Sequence, residues 1–126
     1  MKIYLFINFV LLFILISCNK DKYFEPDLIG KWNWTSTCGG FSGACLYPNS
    51  NESMKVEVTN FKIVKKVNDS TLLNSQYTVK NKMIYEKFIT QEMVLENGKV
   101  LRIILTTDAL EIENGDTWEN YKKVNN

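Results

Sequence analysis

Val94-Leu95-Glu96-Asn97-Gly98-Lys99-Val100-Leu101 decides how this chain folds. An Asn-Gly pair set between two apolar runs is the strongest short hairpin signal in the sequence. Residues 100–107 form the most continuously apolar strand, and Leu110-Glu111-Ile112 leads to a second turn at Asn114-Gly115-Asp116. Residues 117–124 then close the domain. On the other side of the hairpin, Met93 and Leu95 share one face, and Met83-Ile84-Tyr85 precedes them, set off by Lys80-Asn81. Leu73, Tyr77 and Val79 have a common parity after the turn chemistry of Asn68-Asp69-Ser70. Met54, Val56 and Val58 alternate with Lys55 and Glu57, and the apolar parity then shifts to Phe61 and Ile63 across Thr59-Asn60. A shift of one residue exchanges the two faces, so a turn or bulge belongs there. Residues 28–37 place Trp32 and Trp34 on one face with Lys31 and Asn33 opposite, the period-2 pattern of a half-buried strand.

Tight turns join roughly eight short strands, and no segment is long and periodic enough for a helix. The predicted fold is all-β, an antiparallel up-and-down β-barrel of about eight strands, which removes exposed edges by closing on itself. A two-sheet β-sandwich has similar strand patterns and stays open as the alternative.

The N-terminus is of a different kind. Lys2, a nearly unbroken apolar run over residues 3–16 and a small residue at Ser17 describe a secretory signal peptide over residues 1–17. A membrane span needs about 20 apolar residues, and this run is shorter and contains Asn8. Leu15-Ile16-Ser17-Cys18 resembles the lipobox of bacterial lipoproteins. That resemblance implies that Cys18 becomes the first residue of the mature chain, with diacylglycerol on sulfur and a palmitate-type acyl chain on nitrogen. Two or more chains hold a protein stably at a bilayer where one does not. Residues 18–26 would then be a lipidated tether and residues 27–124 the folded domain. The implied location is the outer membrane, on its periplasmic or surface face; simple secretion is the alternative.

The chain has 15 basic and 14 acidic side chains, and removal of residues 1–17 takes away only Lys2. A formal charge near zero attracts neither nucleic acid nor an anionic surface. With Cys18 lipidated, the remaining cysteines are Cys38 and Cys45, around Gly39-Gly40-Phe41-Ser42-Gly43-Ala44. Export through an oxidising compartment favours a disulfide. A closed metal site wants four ligands and the chain has no histidine, so no metal or other cofactor is expected. Missing histidine also removes Ser-His-Asp, Cys-His and His acid/base chemistry. Asp and Glu residues scattered over positions 52–119 sit beside lysines and read as solvated strand faces, and the glycines lack the spacing of a nucleotide motif. The chain is not expected to be an enzyme.

Leu28-Ile29-Gly30-Lys31-Trp32-Asn33-Trp34 resembles the Gly-x-Trp opening of lipocalin-like domains. The glycine-rich loop after it, and the ending from Asp108 through Trp118 to Tyr121-Lys122-Lys123, are similar to small lipocalin-like lipoproteins of Bacteroidetes. The resemblance gives Gly30 and Trp32 structural places, with Trp32 at the closed end of the barrel, usually against an arginine near the last strand. Here the sole arginine is Arg102, and Lys122 and Lys123 stand in the partner region. The resemblance further implies a small apolar ligand inside the barrel, with candidate contacts Trp34, Phe61, Tyr77, Tyr85, Ile104 and Tyr121. These side chains would otherwise simply fill a narrow barrel. The competing reading is a non-catalytic surface or periplasmic protein-interaction module that uses the Cys38 to Cys45 loop and Phe41, or in which Phe41 plugs the barrel end. Asn19-Lys20-Asp21 partly resembles the Bacteroidetes surface-export signal, and Asp69-Ser70-Thr71 resembles an O-glycosylation motif that would modify Ser70. Interior volume separates the two readings, since ligand sites usually exceed about 300 Å3.

Overall fold

The computed structural model describes residues 26–125; residues 1–17, Cys18 and the tether up to residue 25 lie outside the described residues. Nine strands follow in order: β1 (Gly30–Gly39), β2 (Cys45–Leu46), β3 (Met54–Val58), β4 (Lys62–Val67), β5 (Ser70–Ile84), β6 (Ile89–Leu95), β7 (Val100–Leu105), β8 (Ala109–Asn114) and β9 (Thr117–Lys123). From β3 onward each strand pairs antiparallel with the next, and β1 pairs with both β3 and β9. The result is a closed antiparallel eight-stranded barrel of lipocalin-like form, with β2 as a short extra strand on β1. Closure through the β1–β9 ladder sets the sandwich alternative aside.

Turn chemistry accounts for the meander. Asn68 and Asp69 both adopt positive φ, 48° and 64°, as a two-residue hairpin between Val67 and Ser70 requires. At the Asn97-Gly98 hairpin only Gly98 is left-handed, at φ 83°. Gly98 N–H donates to Leu95 O and Leu95 N–H to Lys99 O, the pattern of a three-residue loop closed by a left-handed glycine. Across Thr59-Asn60-Phe61, Val58 pairs with Ile63, so the parity shift seen in the sequence marks a hairpin.

Lys80-Asn81 does not divide two strands. β5 runs through it as a bulge: Lys80 faces Glu92, Met83 faces Thr90, and the extra residue is absorbed at Asn81, φ 51°. The Asn81 amide donates to Glu92 Oε2 at 2.7 Å, which supports a conformation that Asn tolerates better than most residues.

Inward-facing Trp32, Val56, Ile63, Met93, Ile103, Leu105, Leu110 and Tyr121 fill the middle of the barrel and are almost wholly buried. Trp32 Nε1 donates to Leu28 O at 3.1 Å, which draws the N-terminal segment under one end. Lys123 Nζ stands 5.2 Å from the centroid of the Trp32 ring and donates to Asp27 O at 2.9 Å. A lysine of the last strand therefore caps the opening tryptophan, a place that lipocalin-like barrels usually give to arginine. At the opposite end Cys38 and Cys45 are joined by a disulfide. Closing so small a loop contributes about 2.5 kcal/mol in the chain-entropy model. Gly39 beside it has φ 115°, and a Cβ there would lie 2.8 Å from Asp116 O, so β1 approaches β9 closely only because this residue is glycine.

Candidate functional site

The two ends of the barrel differ. One end receives the N-terminal segment beneath Trp32; the other carries the disulfide loop and the turns at 68–69, 96–99 and 115–116. At this loop end lies a cavity of about 240 Å3, walled by Val56, Ile63, Leu72, Leu73, Leu95, Leu101 and Ile112, with Lys65, Asn114 and Glu119 as a polar side.

Strand alternation turns the polar pair inward. Lys65 shares the parity of Ile63 on β4, and Glu119 that of Tyr121 on β9, so both point into the barrel. Lys65 Nζ donates to both Glu119 oxygens, at 2.6 and 2.7 Å. Their side chains are only 12% and 8% exposed. Tyr121 O–H donates to Glu119 Oε2 at 2.7 Å and Asn114 Nδ2 to Oε1 at 3.1 Å. A buried charge survives only when paired and fully hydrogen-bonded, and Glu119 meets that condition. Lys65 Nζ, with three N–H donors, gives bonds to both Glu119 oxygens and belongs to the cavity lining.

Burial alone would raise the Glu119 carboxyl. Hydrogen bonds from Lys65, Tyr121 and Asn114, together with the Lys65 charge, outweigh it and hold the group below its ordinary value. Burial, and then the neighbouring Glu119 carboxylate, push the Tyr121 phenol well above its ordinary value of 10.0. The pH dependence follows from linkage. As pH falls, the unfolded chain takes up a proton at Glu119 first, near 4.5, so the stability from this group is present above that value and drains away below it. As pH rises past 10.0, the unfolded chain loses the Tyr121 proton while the folded chain retains it, so stability falls again. Denaturant midpoints measured from about pH 7 to pH 2 are expected to fall less steeply in Glu119→Gln than in the wild type. Parallel curves would show that Glu119 is not depressed.

None of the six expected ligand contacts lines this cavity. Trp34 points inward but uses Nε1 to reach Thr37 Oγ1 at 2.9 Å, outside the cavity lining. Tyr121 lies in the packed centre and contributes through Glu119. Tyr77 belongs to the other end, in a hollow of about 470 Å3 with Pro26, Leu28 and Gln91, where its hydroxyl donates to Thr59 O at 2.5 Å. Burial and the charge of Asp27 raise its phenol.

Three candidates do not face the interior at all. Phe61 sits in the exposed β3–β4 turn, and Tyr85 in the exposed β5–β6 turn stacked on Phe88. Ile104 has the outward parity of β7, between Thr90 and Glu111, because Ile103 and Leu105 are the inward pair. Phe41 is fully exposed and plugs nothing; Leu46 and Tyr47 beside it are exposed as well. Ser70 is exposed at the start of β5.

In the sequence Lys65 and Glu119 look like the solvated charges beside them. The signal was their parity: each stands in register with an apolar neighbour two residues away. Among the described residues no group of His, Cys, Asp and Glu is placed to hold a metal ion. The described residues form a closed lipocalin-like barrel with a packed waist, a small cavity at the loop end and a wider hollow at the other. Comparison with protein-family models, curated proteins and solved structures found no match for this chain.

Proposed function

We propose that this protein is a membrane-anchored, lipocalin-like binding protein that takes a small amphiphile into the mouth at its loop end. One observation carries the reading: an apolar-walled cavity of about 240 Å3 whose lining includes the buried Lys65–Glu119 pair. Apolar walls with a few convergent polar groups are the usual make-up of small-molecule sites. At about 240 Å3 the cavity is smaller than the roughly 300 Å3 that would by itself favour a ligand, so the reading rests on the lining, and the occupant is short. It carries an acceptor such as a carboxylate or hydroxyl oxygen to meet Lys65. The Lys65–Glu119 pair is neutral as a whole, so Lys99 at the rim supplies the net positive charge that favours an anion.

The test is a titration of the full-length Cys18→Ala chain with octanoate and with octanol, followed by native mass spectrometry and thermal melting. Octanoate is expected to be retained saturably and more tightly than octanol. Leu73→Trp, which fills the mouth beside Lys65, its partner across the β4–β5 ladder, is expected to abolish retention. No saturable binding by the parent chain, or equal binding by the Trp variant, would overturn the reading.

Exposed Phe41, Leu46 and Tyr47, held by the disulfide and by β2, favour a second reading, in which the loop docks on a protein partner. Crosslinking in intact cells separates the two: that reading fails if Phe41→Asp leaves every captured partner unchanged.

A further inference from the structure

The closed end of the barrel carries apolar surface that the core does not use. Met83, Ile84 and Tyr85, at the turn between β5 and β6, are 56%, 48% and 42% exposed. Phe88 completes the turn, its ring stacked on Tyr85 with centroids 4.5 Å apart. Phe61, in the neighbouring β3–β4 turn, and Ile29 are exposed as well. These groups share one end: Tyr77 N–H donates to Phe61 O, and Pro26, Ile29, Val79 and Lys82 line one hollow. β4 ends opposite Gln76, so residues 78–84 of β5 continue past its last partner and carry the turn outward. Lys80, Lys82 and Lys87 flank the apolar side chains, with Glu86 in the turn, Glu92 opposite Lys80 and Asp27 in the same hollow as Lys82. Lysines also protect a strand edge from pairing, but that role does not call for exposed aromatic rings.

Aromatic and aliphatic side chains ringed by lysine match the headgroup region of a bilayer. There aromatic rings settle at the interface, lysine stems lie along apolar surface, and their ammonium groups meet lipid phosphates. The point at which the chain enters the barrel selects this occupant over another protein. Seven residues separate Cys18 from Pro26, a reach of at most about 28 Å over the eight intervening steps at about 3.5 Å each. An anchor at Cys18 therefore keeps this end within about 28 Å of the membrane and nearer to it, on average, than the mouth. The mouth stands further out by the length of β1, ten residues or roughly 33 Å before tilt.

We infer that the β5–β6 turn, through Met83, Ile84, Tyr85 and Phe88, rests in the headgroup region of the bilayer to which Cys18 tethers the chain. The barrel then stands with its mouth facing away from the lipid. The inference depends on the reading of Cys18 as a lipid anchor, and the experiment separates the two.

Full-length chain is placed on vesicles of phosphatidylethanolamine and phosphatidylglycerol in equal parts with a trace of diazirine-bearing lipid, once by its native anchor and once by coupling the Cys18 thiol to a maleimide lipid. After illumination, mass spectrometry maps the lipid adducts. Adducts on residues 83–88 are expected to exceed those on residues 41–47 about tenfold, the ratio given by about 1.4 kcal/mol. Replacing Met83, Tyr85 and Phe88 together by Ser is expected to erase that preference, with the melting transition reporting an intact fold. An even distribution, adducts concentrated at Phe41, or crosslinks joining two copies through the turn would overturn the proposal. A native chain without acyl mass would overturn the anchor alone, because the maleimide sample still decides the orientation.

Discussion

Glu119→Ala is expected to lower the free energy of unfolding by about 3 to 5 kcal/mol, the loss typical of breaking a buried ion pair from one side. The substitution leaves Lys65 Nζ inside the barrel with no carboxylate and strips Tyr121 O–H and Asn114 Nδ2 of their shared acceptor. Two features make the cost large. Lys65 is only 12% exposed, so water solvates it poorly, and the walls around it are leucine, isoleucine and valine. Replacing both partners, Lys65→Met with Glu119→Leu, is expected to recover most of the loss, since removing a buried pair together is often neutral or stabilising. Urea unfolding of the two single variants and the double variant would measure the coupling. A loss below about 1 kcal/mol for Glu119→Ala would place the pair in the class of solvated surface bridges. The same set bears on function: if the double variant folds well yet no longer retains octanoate, the ion pair serves the mouth and not the fold.

Trp32→Ala is expected to cost a similar 3 to 5 kcal/mol, in the range for truncating a fully buried aromatic side chain. Trp32 is wholly buried at the closed end, where it holds Leu28 O and lies beneath Lys123. Its removal opens a void and frees the N-terminal segment together. Lys123→Ala, which removes only the cation over the ring and its bond to Asp27, is expected to cost about 0.5 to 1 kcal/mol, as for exposed cation–π pairs. Comparable losses in the two variants would mean that the cap, and not burial of the indole, carries the stability of this end.

The strands were legible because their signals are local. Alternation around Trp32 and Trp34, the parity shift before Ile63, and the turn residues at 68–70 and 97–98 each act within a few positions, and each marks an element that the barrel contains. Lys80-Asn81 misled for the same reason. An Asn that can adopt positive φ suits a turn and a bulge equally, and only the Glu92 partner on β6 decides between them. Ile104 misled because three consecutive apolar residues, Ile103-Ile104-Leu105, carry no parity of their own; the register with β6 and β8 sets which of them faces in.

The mouth was hidden more deeply. Lys65 lies in a run of similar lysines, and Glu119 is one acid among many. Each is unremarkable until β4 and β9, 54 residues apart in sequence, place both side chains within one closed cylinder. Local preference alone determined an antiparallel, turn-rich β chain with tryptophans at its opening strand and a cysteine pair in a glycine loop, because dihedral preferences and period-2 patterning require no distant partner. Tertiary structure decided that the sheet closes through β1 and β9, that the waist is packed, and that one inward lysine and one inward glutamate meet beneath the mouth. Those outcomes depend on closure and stagger, which set the neighbours of each inward side chain and cannot be read from any single strand.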